Sequence, residues 1–461
     1  MFFQRYYLQC LSHASYLVAD EQTKEAAVID PQRDIDQYIE DAKANGFNIK
    51  YVILTHFHAD FVAGHIELRD RCGATICLAP NAPAEFEFQK VGDGDEIRLG
   101  SLRMVGMTTP GHTPEGLSIL LYDGKSEAPH CLFTGDTLFL GDVGRPDLLA
   151  SVGFTADELA DMLYDSLHDK ILKLPDETLI YPAHGAGSLC GKQLSDAETS
   201  TLAEQKKVNY ALAPMRKEEF KEMVTADQPD APAYFVHDAI MNRKDRQTLD
   251  KTLEQAVTAL SLEQTLEHLK SGAQMVDTRP AQEFEAAYMK GSLNVCIDGK
   301  YATWAGSVLC KETPIVVIAD EDRVEESIMR LGRIGFDHVV GYLEHGMEAL
   351  KDRDDLITSI SRVPCATVAE NLGKNVTLLD VRSEKEYSNG HVEGSLNIPL
   401  SRLAGRMEEL NKDKQLYVMC HSGYRSAIAC SMLVREGFEN SCDVIGGWVA
   451  WKALHQPVAA V

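Results

Sequence analysis

The sequence predicts a multidomain α/β protein, and three observations support this prediction. The chain has 461 residues, a length that suggests two to four domains rather than one. In its first half, short apolar runs and amphipathic segments follow one another in an order typical of a sheet-on-sheet sandwich with outer helices. In its second half, one set of motifs occurs twice at a constant offset of 103 residues.

Composition limits the partners that this chain can have. With 44% hydrophobic and 25% charged residues it is typical of a globular protein. A formal net charge of −25 argues against binding to a nucleic acid or to an anionic membrane surface. No apolar run approaches the ~20 residues of a transmembrane helix and the first residues lack a signal peptide's features, so we expect a cytoplasmic protein.

Eleven cysteines without Cys-x-x-Cys spacing indicate neither a disulfide framework nor a zinc ribbon.

The periodicity of the first half predicts individual elements. Apolar positions at helical spacing predict a helix over 34–45, with Gly46 as its C-cap. The apolar run 51–54 predicts a buried strand, followed by a polar turn and by a helix that begins near Asp60 and ends by Gly73. Further apolar runs predict strands near 75–78, 103–108, 117–122 and 131–134.

The polar turn after the 51–54 strand has the residue types of a metal site. His56, His58 and Asp60 alternate there, so their side chains would leave the strand end close to one another. Three later motifs each follow an apolar run and would also lie at strand ends: Thr109-Pro110-Gly111-His112-Thr113, Phe133-Thr134-Gly135-Asp136-Thr137 and Tyr181-Pro182-Ala183-His184-Gly185. A single histidine is usually a satisfied polar residue, but imidazole and carboxylate groups that recur at strand ends predict a bound metal ion.

The repeat in the second half predicts two small parallel α/β domains. The first copy contains Asp277-Thr278-Arg279, Glu283-Phe284, Gly291-Ser292 and Asn294. The second copy contains Asp380-Val381-Arg382, Glu386-Tyr387, Gly394-Ser395 and Asn397. In each copy a strand precedes the aspartate, and a helix and a second strand follow it. We therefore predict domains over 1–260, with a helical tail, 261–355 and 361–461.

The second copy has a candidate nucleophile, Cys420. A predicted strand over 416–419 ends at this cysteine and a predicted helix over 427–436 follows it, so backbone N–H groups and the helix dipole converge on the sulfur. Together with the positive charge of Arg425 they favour the thiolate, which is the nucleophilic form. The residues between and beside them would form a cradle for a bound sulfur: His421, Ser422, Gly423, Tyr424 and Ser426.

The first copy has no such nucleophile. Alignment of the two copies places Val317 or Ile318 at the position of Cys420. The residues that follow, 320–322, are all acidic and would repel an anionic sulfur substrate. We therefore predict that the first copy is inactive and has a packing role.

The spaced motifs of residues 1–250 resemble those of the metallo-β-lactamase superfamily, and the two copies of the repeat resemble rhodanese sulfurtransferases. The second copy also shares the rhodanese stretches Gly390-His391-Val392-Glu393-Gly394-Ser395 and Gly446-Gly447-Trp448. Cysteine phosphatases likewise combine a cysteine, loop amides and an arginine, but they place the arginine one residue further from the cysteine. These resemblances imply an αββα sandwich followed by an inactive and an active rhodanese domain.

Within that superfamily the chain closely resembles the persulfide dioxygenases. The shared motifs are Thr55-His56-x-His58-Ala59-Asp60, Gly135-Asp136-Thr137, Gly144-Arg145-Pro146-Asp147 and His184-Gly185-Ala186-Gly187-Ser188. The resemblance implies one Fe(II) per chain, held by His56, His112 and Asp136. It also implies that His58, Asp60 and His184 orient the ligands or the substrate, although spacing alone leaves His58 open as a ligand. In hydrolases of the superfamily, a histidine that binds a second metal ion directly follows the motif aspartate. This chain has Phe61 at that position, which favours one metal ion beside an apolar wall.

Three more residues near the predicted site have two interpretations each. Arg145 is either part of a structural ion pair or a contact for a substrate carboxylate. Cys190, six residues after His184 in a glycine-rich loop, is either a buried thiol or a gatekeeper near the metal. Cys10 is equally ambiguous.

We therefore expect an enzyme with two activities. Its metal site would oxidise a low-molecular-weight thiol persulfide with O2 to sulfite, and Cys420 would transfer sulfur so that thiosulfate is produced or used, in sulfide and persulfide detoxification. We also expect a homo-oligomer. The alternative is a zinc-dependent thioester hydrolase of the glyoxalase II type fused to a sulfurtransferase. A third hypothesis, from another class, is a sulfur-carrier protein with a vestigial metal site.

Overall fold

The computed structural model describes residues 1–124, 126–148, 153–226, 228, 230–454 and 458–459. The chain divides into two compact units. The first comprises Met1–Lys251 together with Gly332–Gly335, and the second comprises Thr252–Leu331 and Phe336–Val461. No helix in the described ranges has both the length and the apolar character needed to cross a lipid bilayer.

Two six-stranded sheets form the centre of the first unit as far as it is described. In spatial order, the strands of the first sheet are Phe2–Leu8, His13–Ala19, Glu25–Ile29, Asn48–Ile53, Thr75–Leu78 and Gln89–Lys90. Those of the second sheet are Ser200–Thr201, Leu179–Pro182, Cys131–Gly135, Leu117–Tyr122, Leu102–Thr108 and Glu96–Leu99. Both sheets are mixed, because Glu25–Ile29 runs parallel to Asn48–Ile53 and Cys131–Gly135 runs parallel to Leu179–Pro182.

The sheets pack face to face because each has an apolar inner face. Tyr16 and Ile53 of the first sheet and Ile119 and Phe133 of the second belong to one buried cluster. A second cluster lies on the outer face of the second sheet, where Phe220 of a covering helix joins it. Helices of this unit are Asp36–Asn45, His65–Cys72, Ala156–Asp165, Leu202–Val208, Lys217–Thr225 and Tyr234–Met241, and Leu249–Ala256 leads into the second unit. The layering is therefore that of an αββα sandwich.

The second unit contains the two copies of the repeat, each with a parallel five-stranded sheet in the described residues. The first copy has the strand order Ala259–Leu260, Val339–Leu343, Ile315–Ile318, Gln274–Asp277 and Leu293–Asn294. Its helices are Leu262–Lys270, Ala281–Ala286, Tyr301–Val308 and Val324–Arg333, and its short strand Tyr288–Met289 pairs with Ile357–Thr358.

The second copy repeats this order. Its strands are Ser361–Pro364, Ser441–Ile445, Gln415–Met419, Val376–Asp380 and Leu396–Asn397. Its helices are Cys365–Asn371, Glu384–Ser388, Leu400–Leu403, Tyr424–Arg435 and Gly447–Ala453. All the paired strands of this sheet are parallel, as the alternation of strands and helices predicts.

Two predicted helix starts are wrong. The helix expected from near Asp60 begins at His65, because the buried residues 60–64 still belong to the turn after the strand and Gly64 precedes the first helical turn. The helix expected from residue 427 begins at Tyr424. Gly423, with a φ of 116°, lets the chain turn directly from the cradle into the helix, a conformation that favours glycine.

The alignment of the two copies also needs a correction. Strand pairing sets Asp277 opposite Ile318 in the first copy and Asp380 opposite Met419 in the second. The residue that corresponds to Cys420 is therefore Ala319, not Val317 or Ile318. At this strand the two copies are separated by fewer residues than the 103 that separate the earlier motifs, so the motif offset cannot be used to align it. Alanine is no nucleophile either, and the predicted inactivity of this copy stays a prediction.

Candidate active sites

Three sets of potential metal ligands lie in the first unit among the described residues, all of them buried. The donor atoms within each set are no more than 4.8 Å apart, and the sets are His56/His112/Asp136, His58/Asp60/His184 and Asp136/His184/Cys190. All six histidines and aspartates predicted from the sequence therefore lie at one end of the sandwich. Each follows a strand whose last residues point toward this end.

His56 is oriented by the residue before it. The Thr55 hydroxyl donates its single proton to Asp30 Oδ2 at 2.8 Å, so it can only accept from His56 Nδ1, which lies 2.9 Å away. His56 therefore carries its proton on Nδ1 and has a lone pair on Nε2. That nitrogen lies 3.7 Å from Asp136 Oδ2.

His112 has the same tautomer for a different reason. Its Nδ1 lies 2.9 Å from the backbone carbonyl oxygen of Arg145, which can only accept a hydrogen bond. Its Nε2 is consequently a lone-pair donor, 3.5 Å from Asp136 Oδ2. Burial lowers the pKa of both His56 and His112, so both rings are neutral, as a metal ligand must be.

The geometry of this first set fits a metal ion. It presents two imidazole lone pairs and one carboxylate oxygen. Two ligands about 2.1 Å from a tetrahedral metal ion lie about 3.4 Å apart, close to the two separations found here. Burial raises the pKa of Asp136, but His184, His56 and His112 outweigh this effect and hold its pKa well below the usual value, so its carboxylate is ionised.

His184 links two carboxylates. Its Nδ1 lies 2.8 Å from Asp136 Oδ1 and its Nε2 lies 2.9 Å from Asp60 Oδ2. Burial lowers the pKa of His184, but the two carboxylates outweigh burial and raise its pKa well above the usual value. The contact of His184 Nδ1 with Asp136 orients this carboxylate. Both of the other two sets of ligands include His184, whose Nδ1 is already occupied by this contact.

His58 belongs to the second set, although its ring lies 4.1 Å from the ring of His56. Its Nε2 lies 3.1 Å from Asp30 Oδ1, and its ring packs on Phe61 at a centroid distance of 4.5 Å. The structure thus separates two histidines that spacing alone treats alike. Phe61 is itself fully buried and forms the apolar wall expected there.

Sequence reasoning missed two residues of this region. His13 is fully buried against Phe61 and His184, with ring centroids 4.2 and 5.4 Å away, and no hydrogen-bond partner for either ring nitrogen lies among the described residues. Asn242 holds the polar turn, because its side-chain amide donates to the carbonyl oxygens of His58 and Phe61 at 2.8 Å each. Both approach from segments distant in sequence, so no local pattern marks them.

The structure places Arg145 in an ion pair. Its guanidinium donates to both carboxylate oxygens of Asp147 at 2.7 and 2.6 Å, while its backbone carbonyl orients His112. Cys190 is buried close to Asp136 and His184. Burial raises the pKa of this thiol well above its usual value, and Asp60 and Asp136 add to the effect, so it is a neutral thiol. Cys10 is half-buried.

The second candidate site surrounds Cys420. The cysteine follows the strand Gln415–Met419, and the Gly423 N–H donates to its Sγ at 3.1 Å. The Ser426 hydroxyl oxygen lies 3.5 Å from the same sulfur. A Cβ on Gly447 would lie 2.3 Å from the Cys420 carbonyl oxygen, which explains why Gly446-Gly447-Trp448 has glycine there.

Two cradle residues have contacts that the sequence did not indicate. The Arg425 guanidinium donates to both carboxylate oxygens of Glu386 at 2.6 and 2.7 Å. Burial raises the pKa of Glu386, but the pairing with Arg425 outweighs it and lowers the pKa to about 2. The Tyr424 hydroxyl points away from the sulfur and donates to the Cys296 carbonyl of the first copy at 2.7 Å. His421 and Ser422 are exposed.

Replacing Glu386 with glutamine is expected to slow sulfur transfer by about 10- to 100-fold, because Arg425 loses the partner that fixes it beside the sulfur. Glu384→Gln, in the same helix but exposed, is the matched control and should have no effect. Because the pKa of Glu386 is depressed, its pairing is complete above the ordinary carboxyl range and is lost as the pH falls toward 2. Initial transfer rates from pH 5 to 8 should therefore show no loss that depends on Glu386.

Comparisons with known proteins agree with this architecture. The sequence model of the metallo-beta-lactamase superfamily matches residues 8–184, and that of the rhodanese-like domain matches residues 261–353 and 365–454. The mitochondrial persulfide dioxygenase ETHE1 of Mus musculus is 33% identical over 221 residues, which cover 47% of this chain and 77% of that protein. The Bos taurus protein of the same name is 32% identical over 206 residues, covering 43% of this chain and 70% of that protein.

A solved structure is similar over most of the chain. The crystal structure of a metallo-beta-lactamase from Staphylococcus aureus subsp. aureus COL has a TM-score of 0.66 and 31% identity, and the match covers 74% of this chain and 98% of that one. The chain therefore belongs to the metallo-beta-lactamase superfamily. Within it, this chain is a homologue of the persulfide dioxygenases, and in this chain two rhodanese-like domains follow the metallo-beta-lactamase domain. The predicted fold class, fusion architecture and enzymatic nature are thus confirmed.

Proposed function

We propose that this enzyme oxidises a low-molecular-weight thiol persulfide to sulfite at one ferrous ion and transfers sulfane sulfur through Cys420. The observation that carries the proposal is the convergence of the His56, His112 and Asp136 donor atoms in a chain that also has the Cys420 loop. The relatives named persulfide dioxygenase support the first activity, and the rhodanese-like domains support the second. We keep 1–260, 261–355 and 361–461 as the proposed domain limits.

The donor set favours Fe(II). Two neutral histidines and one carboxylate are the ligands of non-haem ferrous oxygenases, and a bound ferrous ion would supply open positions for O2 and the persulfide. Thr55 and the Arg145 carbonyl fix the two histidine tautomers, and His184 fixes the carboxylate. Phe61 takes the position of a second metal's ligand and excludes water from that side.

The proposed oxidation balances with water as a reactant. The persulfide RSSH, O2 and H2O give RSH, sulfite and two protons. The outer sulfur loses electrons and leaves as sulfite, while the inner sulfur remains on the carrier as a thiol. The two ligand imidazoles are neutral and therefore do not repel the anionic persulfide. His184 lies between Asp60 and Asp136 and offsets much of their negative charge, which limits their repulsion of the substrate.

The proposed transfer uses the cradle around Cys420. The Cys420 thiolate would attack the outer sulfur of RSSH, so that the S–S bond of the substrate breaks, RSH leaves and Cys420 becomes a persulfide anion. Sulfite would then take this outer sulfur to form thiosulfate and release the Cys420 thiolate. The Gly423 N–H is placed to stabilise the anionic sulfur. The Ser426 hydroxyl lies beside the sulfur and donates to the Gly423 carbonyl oxygen. Reverse flow from thiosulfate would use the same residues. Because one chain carries both activities, sulfite made by the first is available to the second, which suits persulfide detoxification.

Metal content measured together with persulfide-dependent O2 uptake tests the proposal. About one iron per chain and O2 uptake on addition of glutathione persulfide are expected. Two zinc ions per chain with thioester hydrolysis and no O2 uptake would instead support the hydrolase of the glyoxalase II type. Sulfur transfer without any metal or O2 uptake would support a carrier protein.

A further inference from the structure

A buried acid pair lies in the second unit and belongs to neither of the two proposed sites. Glu285 and Asp443 are each 1% exposed, and they share one guanidinium: Arg362 Nε lies 2.7 Å from Glu285 Oε2 and 3.7 Å from Asp443 Oδ2. Among the described residues, neither Glu285 oxygen nor Asp443 Oδ1 accepts a hydrogen bond, because the nearby Arg362 Nε–H is not aligned with them. Two ionised carboxylates against one guanidinium would leave a buried negative charge uncompensated, which is costly.

The two carboxylates come from different copies of the repeat. Glu285 is in the helix Ala281–Ala286 of the first copy, whereas Arg362 and Asp443 are direct partners on adjacent strands of the second. At the offset of 103 residues, the second copy has Ser388 where the first has Glu285. The acid pair is therefore no part of the repeated fold. It exists only where the first copy packs on the second.

The acid pair lies directly behind the Cys420 loop. Asp443 is paired in the sheet with Val418, two residues before the cysteine. Burial raises the pKa of Asp443, while hydrogen bonding with Ser426 and the charge of Arg362 lower it in part. Ser426 in turn lies 3.5 Å from Cys420 Sγ. The Ser426 side chain thus neighbours both the acid pair and the nucleophile, while its hydroxyl donates to the Gly423 carbonyl oxygen at 3.2 Å.

In the part of the chain that the structure describes, the other titratable side chains that face the pair are the thiols of Cys430, Cys442 and Cys365, which carry no compensating positive charge. Cys430, on the helix Tyr424–Arg435, is buried, and burial together with Asp443 and Glu285 raises its pKa well above the usual value, so it is a neutral thiol. Burial, with the charge of Asp443 added, raises the pKa of Glu285 to about 8, against the opposing effect of Arg362. A proton, rather than a second cation, is left to balance the pair.

We propose that Glu285 and Asp443 share one proton against Arg362 at neutral pH and act as positioning residues that keep the charge behind Cys420 near zero. This inference rests on the proposed role of Cys420 in sulfur transfer. Loss of the shared proton near pH 8 and above places a negative charge behind the sulfur, which disfavours the thiolate. The inactive copy would thereby tune the nucleophile of the active one.

The test follows the rate of Cys420 alkylation by iodoacetamide from pH 6 to 10 in the full chain, with Cys420 identified by peptide mass spectrometry. Above pH 8 the wild-type alkylation rate is expected to rise less steeply with pH than the rate of a thiol that ionises with one fixed pKa. In Glu285→Gln and in Asp443→Asn the rate should follow a single ionisation and exceed wild type by up to about tenfold, the effect of one pKa unit. Glu283→Gln, exposed in the same helix, should match wild type.

Infrared spectroscopy gives an independent measurement. Wild type should show the carbonyl stretch of a protonated carboxyl group at pH 7, and Glu285→Gln and Asp443→Asn should both lose this band. A wild-type protein without the band, or a Glu285→Gln profile identical to wild type, would overturn the proposal. Neither measurement needs a sulfur substrate, so failure of the proposed function would show separately, as absence of sulfur transfer with an unchanged alkylation profile.

Discussion

Asp136→Ala is expected to abolish persulfide-dependent O2 uptake and to remove the bound metal, while sulfur transfer continues at the wild-type rate. Asp136 is the only carboxylate in the proposed ligand set, and its Oδ2 lies within 3.7 Å of the Nε2 atoms of both His56 and His112. The loss of metal affinity should be at least about 100-fold, since even residues that only support ligands contribute 10- to 100-fold. The measurements are metal content by mass spectrometry and O2 consumption.

The matched control for this variant is Asp123→Ala, which removes an exposed carboxylate of the same unit and should change neither quantity. Asp136→Asn keeps the shape of the side chain and should also lose metal, because the neutral amide is a weaker ligand and removes one of the two anionic partners of His184. Full metal content in both Asp136 variants would rule out this ligand assignment. Loss of sulfur transfer as well would show that the two activities are not separable.

Cys420→Ser should reduce sulfur transfer at least about 100-fold and leave O2 uptake intact, because a serine hydroxyl has no accessible anion at neutral pH. Sulfite should then accumulate during persulfide oxidation, since no sulfur is delivered to it. The measurements are thiosulfate and sulfite concentrations during turnover. An unchanged ratio of the two products would contradict the assigned role.

Cys310→Ser is the control for Cys420→Ser. Cys310 is an exposed thiol in the same unit and lies upstream of the strand that corresponds to the Cys420 strand. It should have no effect on either product. If the Cys310 variant lost transfer while the Cys420 variant kept it, the sulfur would travel by a different thiol.

The two sites differ in how much of each was predictable. In the Cys420 loop, strand, nucleophile, Gly423 and helix are consecutive, so local geometry already places the donors around the sulfur. At the metal site the sequence identifies six polar residues but not which of them face one another. Whether His56 or His58 turns toward Asp136 depends on Asp30, which lies on a neighbouring strand segment and attracts one ring directly and the other through Thr55.

Residues that act through distant partners were not predictable. Glu386 matched the repeat motif, yet its pairing with Arg425 joins residues 39 positions apart. Glu285 and Asp443 reach the same guanidinium from different copies, and each has the sequence context of an ordinary element. Ala319, and not Val317 or Ile318, occupies the position in the first copy that is equivalent to Cys420. Strand pairing shows this, whereas the motif offset does not.

The sequence by itself determined the order of domains, the residue types at both candidate sites and the position of the candidate nucleophile, because apolar periodicity, strand-end motifs and glycine turns are local properties of the chain. Only the tertiary structure decided the tautomers of His56 and His112, the contacts of His184 with two carboxylates, the pairing of Arg425 and the acid pair behind Cys420. The physical reason is that protonation and ion pairing depend on burial and on charges brought within a few ångströms. Those distances are set by packing between segments far apart in sequence.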